Sequence, residues 1–282
     1  VEWDESRVSV DYEKLLRQEG ASASSGAVVA PLLRLYLTDG RFPKGRKVEI
    51  PGGDPSRKPD GWFHPSSHPT MPARKLYHYL AEPDRWEPEP FEAEMRMSVT
   101  IGSLMHGVVR MALEDIGLWQ APVGLCPACN RPYGPGAGEC DEPGVCDPVL
   151  GRRGHMDGVL LTPQLGMTGY DLKTINHFAV QKLPDMDVEF LKVKYPYYYG
   201  QFQDYMAMSG LRTIIVVFAG MGFPWTFKEV HVPYDEQYVV ALEAKYRAVR
   251  QAVAEGTPPA PCCEFGSKQS RACPAMACAM KR

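Results

Sequence analysis

Gly169-Tyr170-Asp171-Leu172-Lys173-Thr174 reads as a β-strand. Asp171 and Lys173 lie two apart, and the two-residue period of a strand turns both side chains to one face. Just upstream, Gly154-His155-Met156-Asp157-Gly158 leads into a second strand, expected over residues 155–161. The two strands make a hairpin that brings Asp157 beside Asp171. Two carboxylates held together repel unless a cation sits between them. Hard oxygen ligands suit Mg²⁺ or Mn²⁺. A lysine next to such a cation orients or deprotonates an attacking water and neutralises charge on a phosphate. Taken singly, each residue has a plainer reading. Asp-x-Lys usually marks a solvated strand face, Asp before Gly a turn, and Lys173 a simple partner for Asp171.

Working outward, residues 197–209 read as a helix begun after Pro196, and residues 211–219 as a buried strand. A further strand over residues 225–232 stops at Pro233. Asp235 then caps a long helix with Val239, Leu242, Tyr246, Val249 and Val253 on one face. Upstream, residues 73–80 and 92–119 read as helices. In the second, Ile101, Leu104, Met105, Val108, Ala112 and Ile116 recur at helical spacing. Helix, hairpin, helix, strand, strand, helix is an α/β fold, a mixed central sheet flanked by helices. Residues 124–154 form a Cys-rich insertion without periodicity, residues 1–60 an irregular N-terminal arm with one short element at 32–37, and residues 257–282 a Cys-rich tail.

Hydrophobic residues make up 44% and charged residues 23% of 282, the balance of a soluble globular protein with a sizeable core. No apolar run is long enough to span a membrane, and the start has no pattern of a secretory signal. The formal net charge of -3 argues against a module that only coats nucleic acid, since such modules are basic. It is compatible with an enzyme whose acidic metal site offsets a local basic groove.

Two further groups join the hairpin. His106 lies in Gly102-Ser103-Leu104-Met105-His106-Gly107 on the preceding helix, and Gln201 and Tyr205 share one face of the following helix. This order, G-x-x-x-H, G-x-x-D, D-x-K, Q-x-x-x-Y, resembles the RecB-like nucleases of the PD-(D/E)xK superfamily. Phage exonucleases and CRISPR-adaptation nucleases belong there. The likeness covers roughly residues 64 to 254, so that residues 61–256 would be the nuclease domain with its Cys-rich insertion. It implies metal ligation by His106, Asp157, Asp171 and the Leu172 carbonyl, with Asp157, Asp171 and Lys173 catalytic. Gln201 and Tyr205 would brace the site and contact the DNA backbone. His155 is an alternative to His106, which is preferred for its helical context. The aromatic run Tyr195, Tyr197, Tyr198 and Tyr199 has two readings, base stacking or half-buried core.

The resemblance implies a metal-dependent deoxyribonuclease, foremost an exonuclease on single-stranded or end-accessible DNA. The alternatives are a site-specific or end-processing endonuclease, and a non-catalytic DNA-binding or scaffold subunit. It also implies a cytoplasmic location in a bacterial or phage-infected cell, and a recombination or replication protein as partner besides DNA.

The eight cysteines fall in two groups and read as metal sites before disulfides. Cys126-x2-Cys129-x10-Cys140-x5-Cys146 fits a four-thiolate structural Zn²⁺ site. Cys262, Cys263, Cys273 and Cys278 leave three readings: a second Zn²⁺, an iron–sulfur cluster, or unligated thiols. Several RecB-like nucleases hold a four-iron cluster with one cysteine before the motif helix and three after the core. Here no cysteine precedes Cys126, a departure that weighs against the cluster.

Overall fold

The computed structural model describes residues 27–38, 58–87, 93–134, 138–184, 187–222 and 226–281. The arm expected over residues 1–60 lies outside these except at 27–38 and 58–60, as do Glu92 and Trp225, the expected first residues of a helix and a strand. In chain order the elements are α1 (Val29–Thr38), α2 (Ala73–Ala81), α3 (Ala93–Ile116), β1 (Gly144–Asp147), β2 (Arg152–His155), β3 (Gly158–Thr162) and β4 (Gly166–Asn176). There follow α4 (His177–Gln181), α5 (Val188–Lys194), α6 (Pro196–Ser209), β5 (Thr213–Met221), β6 (Phe227–Pro233), α7 (Glu236–Glu255) and α8 (Lys268–Arg271).

Four strands form one mixed sheet in the order β3-β4-β5-β6. β3 and β4 are antiparallel, with Gly158 opposite Tyr170. β4 and β5 are parallel, with Asp171 opposite Val216, and β5 and β6 are antiparallel. A parallel pair needs a crossover, which α4, α5 and α6 supply. β1 and β2 make a separate two-stranded ribbon.

Alternation along the strands builds a core on each side of the sheet. Leu160, Tyr170, Leu172, Ile215 and Val217 pack against Val109 and Leu113 of α3 and Leu32 and Leu33 of α1. Val159, Ile214, Val216 and Phe218 face the other way, against Tyr199, Phe202 and Met206 of α6. The fold is therefore a mixed α/β sheet flanked by helices. A third cluster joins α2 to α7 through Phe63, Leu76, Leu242 and Tyr246, with the Phe63 and Tyr246 rings stacked at 4.2 Å.

Two features differ from the sequence expectation. The strand expected over residues 155–161 is two strands. β2 pairs with β1 up to His155, β3 pairs with β4 from Gly158, and Asp157 lies where the chain passes from ribbon to sheet. The described part of the arm is a core helix. The buried Glu229 carboxylate of β6 accepts hydrogen bonds from the amides of Val28 at 2.9 Å and of Val29 and Ala30 at 2.8 Å. Amides at a helix start lack intrahelical partners, and a negative charge there opposes the helix dipole.

At the other end, α7 starts as expected. The Asp235 carboxylate accepts from the Tyr238 amide at 3.1 Å, which fixes the first turn. Among the described residues no helix is long and apolar enough to cross a membrane.

Candidate active site

Odd-numbered residues of β4 face α6, so Asp171 and Lys173 share that side, while Tyr170 and Leu172 enter the opposite core. Asp171 is 2% exposed. The Lys173 ammonium lies 2.7 Å from Asp171 Oδ1, with the Tyr198 ring centre 4.8 Å and the Phe202 ring centre 5.6 Å away. These faces of α6 aim the amine at the carboxylate. The approach is that of an ion pair without the alignment of a hydrogen bond, so both buried oxygens of Asp171 lack an aligned donor.

Asp157 is fixed from two sides. Its Oδ2 accepts from the Leu172 amide at 2.7 Å and lies 3.2 Å from His106 Nδ1 on α3. Burial disfavours charge on both groups, but their mutual attraction prevails. It raises the His106 pKa and lowers that of Asp157. Burial, and then the Asp157 carboxylate, push Asp171 up, to about 7, against the pull of Lys173. The structure thus brings His106, Asp157, Asp171 and Lys173 together where β3 begins beside the middle of β4.

The donor set fits a hard divalent cation. Two ligands at about 2.1 Å from one octahedral ion, at right angles, lie about 3 Å apart, close to the His106–Asp157 separation. A cation would also offset the repulsion between Asp157 and Asp171, which the one ammonium of Lys173 balances only in part.

Of these four residues Asp157 lines a cleft of about 530 Å³, together with Gln201, Tyr205, Glu142, Arg153 and His155 among others. Gln201 Nε2 is 3.4 Å from the Tyr205 hydroxyl, which donates to the main-chain carbonyl of His155 at 2.5 Å. Gly154 makes room for this contact, since a Cβ there would come within 3.0 Å of the Tyr205 ring. Tyr199 is buried in the α6 core while Tyr197 is 47% exposed, so the tyrosine run is divided between core and surface.

Sequence reasoning missed Glu142. It is an exposed residue that lines the cleft from the Cys-rich insertion. The acidic pair beside Cys140 was its only signal.

No family model and no curated protein matches this sequence. Among solved structures, the chain is similar to an alkaline exonuclease, LHK-Exo, from Laribacter hongkongensis. That likeness has a TM-score of 0.43 and 16% identity, over 70% of this chain and 89% of that one. LHK-Exo in complex with dAMP gives 0.43 and 17% over the same shares. A protein called SSO0001 gives 0.38 and 11%, over 89% of this chain and 95% of that one.

None of the eight cysteines forms a disulfide. The first group assembles differently from the four-thiolate expectation. Cys126, Cys129 and Cys140 meet His155, each offering a ligand atom within 4.8 Å of all the others. Cys146 is left out of the set. It pairs with Arg153 in the β1–β2 ribbon, whereas His155 pairs with Gly144 beside the cluster. Two residues along a strand is about 6.8 Å. His155 Nε2 lies 3.3 Å from Cys126 Sγ, on the side of the thiols. It could have been found only by reading the motif as three thiols and an imidazole. The second group, Cys262, Cys263, Cys273 and Cys278, lines one small cavity against Arg74, Lys75 and His78 of α2. The tail carrying it is pinned by main-chain bonds from Glu87 to Pro274 and from Met276 to Arg85, both 3.0 Å.

Proposed function

We propose that this chain is a metal-dependent deoxyribonuclease of the RecB-like type, hydrolysing phosphodiester bonds in single-stranded or end-accessible DNA. The observation that carries the reading is Asp171. It is a buried carboxylate whose oxygens lack an aligned donor, set beside a second carboxylate and a lysine aimed at it. Burying such a group is costly, and a divalent cation explains the arrangement.

His106, Asp157, Asp171 and the Leu172 carbonyl would hold Mg²⁺ or Mn²⁺. When bound, the ion supplies Lewis acidity and positive charge toward a phosphate oxygen. The remaining work falls to the chain. The Leu172 amide and His106 fix the Asp157 carboxylate. Lys173, steered by Asp171, Tyr198 and Phe202, orients the attacking water and offsets the negative charge that builds on phosphate in the transition state. Gln201 and Tyr205 brace the cleft wall next to the scissile group.

The preference for ends rests on the motif order shared with RecB-like nucleases. Linear DNA labelled separately at each end, beside closed circular DNA, tests it. The expected result is loss of label from linear substrates with circles intact. Nicking or linearisation of circles at a comparable rate would mean endonuclease action, and no cleavage of any DNA would remove the enzymatic reading.

A further inference from the structure

The described residues of the insertion between α3 and β1 bury one small cluster, Cys126, Ala128 and Cys140, with Cys129 and Tyr133 packed against it. The backbone forms a knuckle. The Asn130 amide donates to the Cys126 carbonyl at 2.7 Å, the Cys126 amide to the Arg131 carbonyl at 2.8 Å, and Asn130 takes a left-handed φ of 58°. Cys140 returns to this knuckle by donating its amide to the Pro132 carbonyl at 2.8 Å. Gly144 then admits the Cys126 sulfur, which would stand 2.2 Å from a Cβ at that position.

Around a tetrahedral Zn²⁺, sulfur and nitrogen ligands at about 2.3 and 2.0 Å from the metal lie roughly 3.5 to 3.8 Å from one another. Cys126 Sγ and His155 Nε2 are 3.3 Å apart, and all four ligand atoms fall within 4.8 Å of each other. Three thiolates and a neutral imidazole around Zn²⁺ carry one net negative charge. Arg131 Nε, 3.3 Å from Cys129 Sγ, is placed to balance it.

We propose that Cys126, Cys129, Cys140 and His155 bind one Zn²⁺ in a closed structural site, and that this ion fixes the cleft wall that carries Asp157. Four protein ligands fill the coordination shell and leave no position for water, so the ion is not a hydrolytic centre. Its influence runs through His155. The side chain of His155 ligates the ion, its carbonyl accepts from Tyr205, and Asp157 follows two residues later. Ala128 and Cys129 line the same cleft as Asp157, Gln201 and Tyr205. The zinc assignment is independent of the nuclease reading. Only its effect on Asp157 rests on that reading, with His155 acting as a positioning residue.

The test is zinc content per chain of the full-length protein, measured by elemental analysis on the untagged wild type and three variants. Wild type and Cys146→Ser are expected to hold the same zinc. His155→Ala is expected to lose about one ion per chain, the stoichiometry of a single four-ligand site. His155→Cys, which restores a fourth ligand, is expected to regain both the ion and any cleavage activity that His155→Ala loses. Retention of zinc by His155→Ala with loss in Cys146→Ser would overturn the ligand set in favour of four thiolates. Iron in place of zinc at this site would overturn the metal. If His155→Ala fails to fold, X-ray absorption of the wild-type zinc difference against Cys126→Ser decides. Three sulfurs and one nitrogen support the site, and four sulfurs contradict it. These readouts stand whether or not the protein cuts DNA.

Discussion

The Tyr205 hydroxyl on α6 donates a hydrogen bond to the His155 carbonyl at the end of β2, 2.5 Å away. This bond joins the helix behind the sheet to the segment that delivers Asp157, and it spends the tyrosine's only donor. Tyr205→Phe is expected to cost about 1–3 kcal/mol of stability, the penalty for a carbonyl left without its partner. Cleavage should fall about 10- to 100-fold, as when a residue supporting a metal ligand is lost. Chemical denaturation beside DNA-cleavage rates checks both. Unchanged cleavage would remove Tyr205 from the support of the site.

Lys173→Ala should lower cleavage by about 10²- to 10⁴-fold, the usual range for a positioned acid–base or charge-stabilising group. DNA affinity measured in Ca²⁺ should change far less, since the amine faces Asp171 and two rings of its own chain in the free protein. A matching loss of affinity and rate would make Lys173 a binding residue only.

Glu229 anchors α1 through three main-chain amides. Glu229→Ala is expected to destabilise the protein by on the order of 3 kcal/mol, since charged hydrogen bonds are lost and buried donors are orphaned. Hydrogen exchange should rise first in residues 28–33. A stability loss without faster exchange there would separate the carboxylate from the helix.

The part of this fold that local signals govern could be read from the chain. β4 with Asp171 and Lys173 is marked by alternation, α6 by Pro196, and α7 by the Asp235 cap and its apolar stripe. What could not be read depends on partners far along the chain. α1 docks because Glu229, about 200 residues away, caps it. The break at Asp157 arises because the chain leaves one pairing partner, β1, for another, β4. The exchange of Cys146 for His155 follows from the register of the β1–β2 ribbon, which no spacing between cysteines encodes. Glu142 enters the cleft only because the insertion folds back over Asp157.

Asp204 gives a pH signature. Burial pushes it up to about 6, against the attraction of Arg152. Its folded pKa therefore lies above the unfolded value of about 4. The folded state holds this proton more tightly, so Asp204 contributes most below pH 4 and that contribution is lost as pH rises through about 6. Over that window the change is on the order of 3 kcal/mol. The stability difference between wild type and Asp204→Asn should accordingly shift against the wild type from pH 4 to pH 7, in paired denaturation curves. A constant difference would mean that Asp204 does not titrate in this range.

In the proposed nuclease, Asp157 and Asp171 hold a divalent cation for DNA hydrolysis. Asp171→Asn isolates that role, because the amide keeps the shape and removes the charge. Thermal unfolding and cleavage of labelled DNA are measured for wild type and variant, with Mg²⁺ or Mn²⁺ and after chelation. The wild type should be stabilised by the ion through binding to the folded state, and should cut DNA only in its presence. The variant should match or exceed the stability of the metal-free wild type, gain nothing from added ion and leave DNA intact. Cleavage that survives chelation, or a variant that cuts DNA at the wild-type rate, would mean that Asp171 holds no catalytic ion.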